Sequence, residues 1–509
     1  MRCRARLQVY GWLGLSALLA ACQPDAAPTN TVAVYRPTPA DAAVSDSDKD
    51  AGAAVRPAAL RLPPADTTIA LGPGDTHVLR LSASAQLGRL DVFVHMDTTA
   101  SMGEEIDTLQ RELLTTVVPH LAGQVPDVAF GVGRFEDFPV PPFGDPGVGG
   151  RADVPFSLLT AITQDSSAIR AAVFSLDNPL GLGGDRHEAG AEALFQIATG
   201  AGYRSGDRTY IDTFEPTPSM PGRRGGVGFR DHSLPVILHI TDAPSHAPSD
   251  YGISLPGTRS YEQAVTALQE LGARVISIVS SDCSAVDCTT EDPASAAALG
   301  LVRAELLPVA LATHALLPAD VPCATGLDGG ENPRFAGACP AVFDIRGDGA
   351  GLSAALVDST VALLSGLSFD TVRAVASSDP LSFVEAIVPI AVEQAPGQPA
   401  LELADRRPLG APDGVYDTVE NVHRGAELEF AVRLANRHVA PLSIPQFFRI
   451  QVQVLGDDLV LREALLRIEV PARPVTDSPA QDDNPQDIDA GMTSEEDASR
   501  GQDADAGGG

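Results

Sequence analysis

The stretch Leu90-Asp91-Val92-Phe93-Val94-His95-Met96 runs straight into Asp97-Thr98-Thr99-Ala100-Ser101-Met102. Its first seven residues form a near-continuous apolar run of strand length, the pattern of a strand buried on both faces. Asp97, Thr99 and Ser101 then set alternate oxygen side chains along a turn that enters a helical pattern over 103–119. Working outward, strand-like runs recur at Val128–Phe135, Phe156–Ile162, Pro235–Thr241, Ala273–Ser280 and Ala341–Ile345. Helical patterns lie between them, at 167–175, 188–199, 261–271 and 302–314, with a last one at 351–364. Apolar strands alternating with helices predict an α/β fold: a doubly wound, mostly parallel sheet covered on both faces. Ligands of such sheets sit beyond the carboxyl ends of the strands, so that edge is where chemistry is sought.

Three loops deliver oxygen ligands to that edge. The first is Asp97-x-Thr99-x-Ser101, and the run Pro235–Thr241 ends in a third, Thr241-Asp242. Between them, at a helix start, stands Gly183-Gly184-Asp185-Arg186-His187-Glu188. Asp-x-Thr-x-Ser alone reads equally well as a helix N-cap. Joined to the other two loops, it gathers the hard oxygens that divalent cations bind, with Mg2+ keeping several waters beside only one or two carboxylates.

The region 89–367 resembles a von Willebrand factor type A (VWA) domain with a metal-ion-dependent adhesion site, and is similar in particular to the I-like domain of integrin β subunits. The resemblance implies that Asp97, Thr99, Ser101, Glu188 and Asp242 hold Mg2+ or Mn2+. It implies flanking sites, with Ca2+ expected, at Glu104 and Glu105 and at Asp137 with Asp185 and Glu188. Asp137 closes the segment Gly133-Arg134-Phe135-Glu136-Asp137. The chain departs from the integrin pattern in having Glu for Asp at 104 and 105, and Gly183 in place of an Asn. By the same resemblance, an Asp or Glu of a protein partner completes the central cation's coordination, and the last helix, 351–364, moves when it does.

Outside this region the sequence changes character. Residues 368–470 carry short alternating segments at Thr371–Ala376, Phe383–Val392, Glu427–Ala435, Phe448–Leu455 and Ala464–Val470, which predict an antiparallel β-sandwich. Residues 65–88 are also strand-like and are expected to complete it, which would make the VWA-like region an insertion; two domains in series is the other arrangement. At the N-terminus, Arg2, Arg4 and Arg6 precede an apolar run, Leu7 to Ala21, too short to span a bilayer comfortably, so 1–21 reads as a signal peptide. Leu19-Ala20-Ala21-Cys22 resembles a bacterial lipobox, implying lipidation (palmitate among the acyl chains) at Cys22. Gln23 then points to the outer membrane of a Gram-negative cell, with the face left open. Residues 22–64 read as a tether, and 471–509 as a disordered acidic tail.

The 509 residues carry a net charge of −32, which excludes a nucleic-acid surface and leaves the lipid as the only membrane attachment. In an exported chain Cys283, Cys288, Cys323 and Cys339 suggest two disulfides. Three connectivities are open, and the sequential pairs 283–288 and 323–339 are the expectation. No nucleophile elbow, zinc-protease spacing, phosphate loop or dinucleotide fingerprint occurs, so neither an enzyme nor a small-molecule cofactor is expected. Gly131-x-Gly133 lies inside a strand run, Arg346-Gly347-Asp348 reads as chance, and His246 reads as a solvent-facing loop residue. The expected function is adhesion or interaction with a macromolecule through a cation. The alternative is a structural envelope or matrix component in which the cation only stabilises the fold.

Overall fold

In the computed structural model, which describes residues 67–148, 150–214, 222–281, 293–394, 398–406 and 416–474, the run entered at Arg89 is a strand buried at every residue from Leu90 to Asp97. The expected signal peptide, lipidated Cys22 and tether, the pair Cys283 and Cys288, and the tail from 475 onward lie outside the described residues.

In chain order the strands are β1 (Thr67–Ala70), β2 (Thr76–Ser84), β3 (Arg89–Asp97), β4 (Asp127–Phe135) and β5 (Ser157–Thr163). Two short ribbons follow, β6 (Tyr203–Ser205) with β7 (Arg208–Ile211), and β8 (Arg223–Arg224) with β9 (Phe229–Arg230). Next come β10 (Leu234–Thr241), β11 (Arg274–Ser280) and β12 (Val342–Ile345). The helices among them are α1 (Gly103–Glu112), α2 (Val118–Gln124), α3 (Ser166–Val173), α4 (Gly190–Thr199), α5 (Pro248–Tyr251), α6 (Tyr261–Leu271), α7 (Pro293–Ala312) and α8 (Leu352–Ser365). Seven strands end the described chain: β13 (Ser368–Ser378), β14 (Val384–Glu393), β15 (Glu402–Ala404), β16 (Thr418–His423), β17 (Glu427–Ala435), β18 (Gln446–Gly456) and β19 (Leu459–Val470).

The central sheet has the order β12-β11-β10-β3-β4-β5, parallel throughout except for β5, which is antiparallel to β4. This is the expected doubly wound sheet. Alternation along β3 divides its apolar residues: Val92, Val94 and Met96 join one core cluster, with Met102 and Ile106 of the α1 side, while Phe93 joins the cluster on the opposite face. Glycines at 131 and 133 make room for the Phe93 ring, since a Cβ at either would lie 2.7 Å from it. That close packing accounts for the Gly-x-Gly in β4. Strand order reverses between β3 and β10, opening a crevice at their carboxyl ends.

Two helical expectations differ in detail. The single helix read over 103–119 becomes α1, a π-helical segment Leu113–Val117 and then α2. Pro119, near the start of α2, has no N–H to give the carbonyl one turn back, so the regular ladder cannot continue through it. The helix read over 302–314 begins earlier, at Pro293.

The second region is the expected sandwich. A six-stranded sheet, β1-β19-β18-β13-β16-β15, faces a three-stranded one, β14-β17-β2, over one core that includes Ile69, Leu81, Val372, Phe430, Val452 and Ile468. β1 pairs in parallel with β19, and β2 pairs antiparallel with β17, so strands from both sides of the α/β region share this core. Strands β15 and β16 were absent from the sequence reading; the first is only three residues long. Gly88 N–H donates to the Val460 carbonyl and Val460 N–H to that of His232, joining the two regions through the backbone. Cys323 and Cys339 are bonded, with Cα atoms 5.5 Å apart.

At the amino ends of β3 and β4, Arg230 ties two acids together. Its Nε donates to Asp91 Oδ1 at 2.7 Å and its Nη1 to Asp127 Oδ1 at 2.5 Å. Arg89 Nε adds a bond to Asp127 Oδ2 at 2.8 Å, and Ser233 Oγ one to Asp91 Oδ2 at 2.8 Å.

Candidate metal centre

At the carboxyl end of β3, the chain turns through a short 3-10 segment, Ala100–Met102, into α1. The turn is fixed by Asp97: its Oδ1 accepts from Thr99 N–H at 3.0 Å and from Thr99 Oγ1 at 2.8 Å. Thr99 Oγ1 lies 3.2 Å from Ser101 Oγ, so three oxygen side chains are placed in succession. Asp97 Oδ2 accepts from Thr241 Oγ1, at the end of β10, at 2.7 Å. Asp97 is fully buried, Thr99 nearly so, Asp242 half-buried and Ser101 exposed, which leaves this end of the cluster open to solvent.

Glu188 joins the cluster from the loop ahead of α4. Its N–H donates to the Pro244 carbonyl, and its own carbonyl accepts from His246 N–H, both at 3.0 Å, zipping residues 244–246 onto it. Gly183 bounds the carboxylate closely: a Cβ there would lie 3.2 Å from Glu188 Oε1, and the residue has φ +66°. The neighbouring Gly184 has no room at all for a Cβ, which would fall 2.3 Å from the Pro142 carbonyl oxygen. Asp153 holds the same loop by accepting from Leu182 N–H at 3.0 Å and Gly183 N–H at 3.1 Å. Arg151 clamps Glu136 through Nη1 at 2.9 Å and Nη2 at 2.5 Å, and Glu136 also takes the Thr98 hydroxyl. Asp153, Arg151 and Glu136 form a supporting frame that the sequence reading missed; their separation along the chain gave no local signal of it.

The electrostatics follow from burial without a counter-charge. Burial, then the nearby Asp242 carboxylate, push the Asp97 carboxyl up to about 7. Glu188 is raised well above the usual carboxylate range by burial and then by Asp97 and Asp137. Glu105 is raised to about 7, chiefly by burial, against the Ser280 hydroxyl that donates to its Oε1 at 2.5 Å. Asp137 is raised by burial despite accepting from Phe138 N–H at 2.6 Å and the Tyr251 hydroxyl at 2.5 Å. Glu105 Oε2, Asp137 Oδ2 and Glu188 Oε2 are buried with no hydrogen-bond partner. Orphaned anionic oxygens of this kind are costly unless a cation meets them, so the donor set fits a hard divalent ion.

The flanking residues divide. Glu105 is buried against Ser280 of β11, whereas its neighbour Glu104 is exposed, so the two acids do not share one environment. Asp137, just beyond β4, and Asp185 do come together, and between them stands His246. The reading of His246 as a solvent-facing loop residue is corrected: it is 7% exposed, packed edge-on to Phe143 and surrounded by carboxylates. Its burial comes from residues 244–246 folding back onto Glu188, a contact between segments more than fifty residues apart.

No protein family and no curated protein matches the chain. Among solved structures, it is similar to a von Willebrand factor type A protein from Catenulispora acidiphila, at 13% identity and a TM-score of 0.29, over 80% of this chain and 71% of that one. It is also similar to the pilus adhesin SpaC from Lactobacillus rhamnosus GG in an open conformation, at 11% identity and a TM-score of 0.30. A second crystal structure of that adhesin gives 10% and 0.31. The chain spans 46% of the adhesin's length, and 79% of this chain takes part.

Proposed function

We propose that this chain is an adhesion or interaction protein that engages a macromolecular partner through a divalent cation, Mg2+ or Mn2+, held by Asp97, Thr99, Ser101, Glu188 and Asp242. The observation that carries this reading is the buried Glu188 Oε2, without a hydrogen-bond partner, on the loop that meets the Asp97-Thr99-Ser101 turn at a solvent-open edge. Asp97, Glu188 and Asp242 would supply the anionic oxygens and the Thr99 and Ser101 hydroxyls the neutral ones. A carboxylate from an Asp or Glu of the partner would approach from the open side, where Ser101 is exposed. The cation's contribution would be Lewis-acid attraction for that carboxylate, which would take the place of a water; no covalent bond is made or broken, and the reading is non-enzymatic. Helix α8 packs against α1 and leads within two residues into β13, so a shift at the site has a short path to the sandwich. The reading further places the protein on the cell envelope, exported and anchored through lipid on Cys22.

Calorimetric titration of Mg2+, Mn2+ and Ca2+ into the wild type and Asp97→Ala tests the cation. Wild-type binding that the substitution removes is the expected result, and a wild type that binds none of the three ends the reading. Crosslinking on intact cells in Mg2+ or in chelator tests the partner. Capture that persists in chelator would count against a cation-mediated contact, and thermal unfolding that collapses in chelator while capture does not respond to the choice of cation would favour a cation that only stabilises the fold.

A further inference from the structure

We propose that Asp137, Asp185 and His246 form a second cation site, separate from the one built on Asp97, that prefers a first-row transition ion of the Zn2+ type over Ca2+. One ligand atom from each residue lies within 4.8 Å of the others. His246 Nε2 stands 3.1 Å from Asp185 Oδ1 and 3.2 Å from Asp137 Oδ2. Tetrahedral ligation at about 2.0 Å per bond places neighbouring ligand atoms roughly 3.3 Å apart, the length of the two spacings from the imidazole nitrogen to the carboxylates.

A simple ion pair accounts for the cluster less well. Nε2 carries at most one proton, yet two carboxylate oxygens face it at nearly equal distance. Asp137 Oδ2, on a fully buried side chain, is left without a hydrogen bond and directed at the imidazole. A divalent ion would serve both oxygens and the nitrogen together.

The surroundings are those of an oriented ligand set. Tyr251 hydroxyl and Phe138 N–H hold the other oxygen of Asp137, and His187 N–H donates to Asp185 Oδ1 at 2.9 Å. Asp250 Oδ2 accepts from Ala247 N–H at 2.8 Å and stands 3.6 Å from His246 Nδ1, beyond hydrogen-bond reach, so it faces the ring as a charge only. The Asp185 side chain is 35% exposed, giving an entry path and room for a water in the fourth position. Ca2+ takes oxygen ligands, whereas an imidazole nitrogen beside carboxylates suits Zn2+ and its neighbours. His246 therefore changes the class of ion from the Ca2+ expected at Asp137, Asp185 and Glu188. The inference does not require the central site to bind anything.

The test is competition for Zn2+ against a chromogenic chelator, with Ca2+ measured separately, on the wild type, His246→Gln and Asp97→Ala. The expected result is Zn2+ binding at least about 100-fold tighter than Ca2+, lost by about the same factor in His246→Gln. Asp97→Ala should retain it, which separates failure here from failure of the central site. Zn K-edge absorption on Asp97→Ala protein with one equivalent of Zn2+ should show one imidazole nitrogen, a readout that stands even if His246→Gln does not fold. Zn2+ bound no more tightly than Ca2+, binding unchanged in His246→Gln, or an oxygen-only shell would each overturn the proposal.

Discussion

The two ends of the central sheet handle buried acid in opposite ways. At the amino end, Asp91 and Asp127 share the Arg230 guanidinium, and Arg89 and Ser233 complete their hydrogen bonds. Burial alone would raise Asp127, yet the hydrogen bonds and charge of Arg230, reinforced by Arg89, hold it below the usual carboxylate range. At the carboxyl end, Asp97, Glu105, Asp137 and Glu188 are buried as deeply as Asp91 and more deeply than Asp127, whose side chain is 31% exposed, and each is raised, with burial the largest cause. No arginine among the described residues pairs with any of these four. Acids compensated by the chain's own cations hold the fold together. Acids left uncompensated at an open crevice have the chemistry the proposed cation site requires.

The largest effect that can break this comparison is at the amino end. Arg230→Met leaves Asp91 buried without its ion partner and should cost about 3–5 kcal/mol in urea unfolding. A loss below about 1 kcal/mol would mean that the network does not compensate these acids. At the other end the expected order is reversed. Asp97→Asn removes like-charge repulsion, so in chelator its midpoint should equal or exceed that of the wild type, while its Mg2+ affinity falls by about 100-fold or more, ~2.7 kcal/mol.

The pH response sharpens the same contrast. Asp97 and Glu105, raised to about 7, bind protons in the folded chain that unfolded carboxyls near ~4 have released. Their contribution to stability is present below the unfolded value and is lost as pH rises through about 7. Asp127, held low, contributes above the unfolded value and loses that contribution as pH falls through its own. The buried pair His95 and His239, whose Nδ1 atoms are 2.9 Å apart, is also depressed, His239 to about 3, and loses stability as pH falls below ~6.5. The clean readout is therefore the difference between wild type and Asp97→Asn. In chelator that gap should widen from about pH 5 to about pH 8, and added Mg2+ should close it. A flat gap would show that Asp97 does not carry the proton. The smallest effect is at Ser280→Ala, which strips Glu105 of its donor and should cost about 1 kcal/mol above pH 7 and less at pH 5, read by thermal unfolding.

Much of the fold was legible because its signals are local. A double-sided apolar run such as Leu90–Met96 announces a buried parallel strand whatever surrounds it, and Asp97-x-Thr99-x-Ser101 closes its own hydrogen bonds within four residues. Sequence was weaker where a segment's character depends on what it meets. The three-residue β15 has no periodicity to read, and it exists because β16 lies beside it. The helix after Ser101 was extended in one piece because its apolar period continues, whereas Pro119 breaks the ladder beneath that pattern.

The site divides along the same line. Spacing in the chain assigned the alternation of Asp97, Thr99 and Ser101, since bonds between adjacent residues enforce it. Only the packed structure turned Glu188 and His246 into neighbours, placed Asp153 under Gly183, and set Arg230 beside Asp91, 139 residues away. Those contacts depend on which loops the sheet brings together at each edge. The cost of burying a charge is likewise a property of its surroundings. For that reason acids that look alike in the sequence become paired struts at one end of the sheet and uncompensated carboxylates at the other.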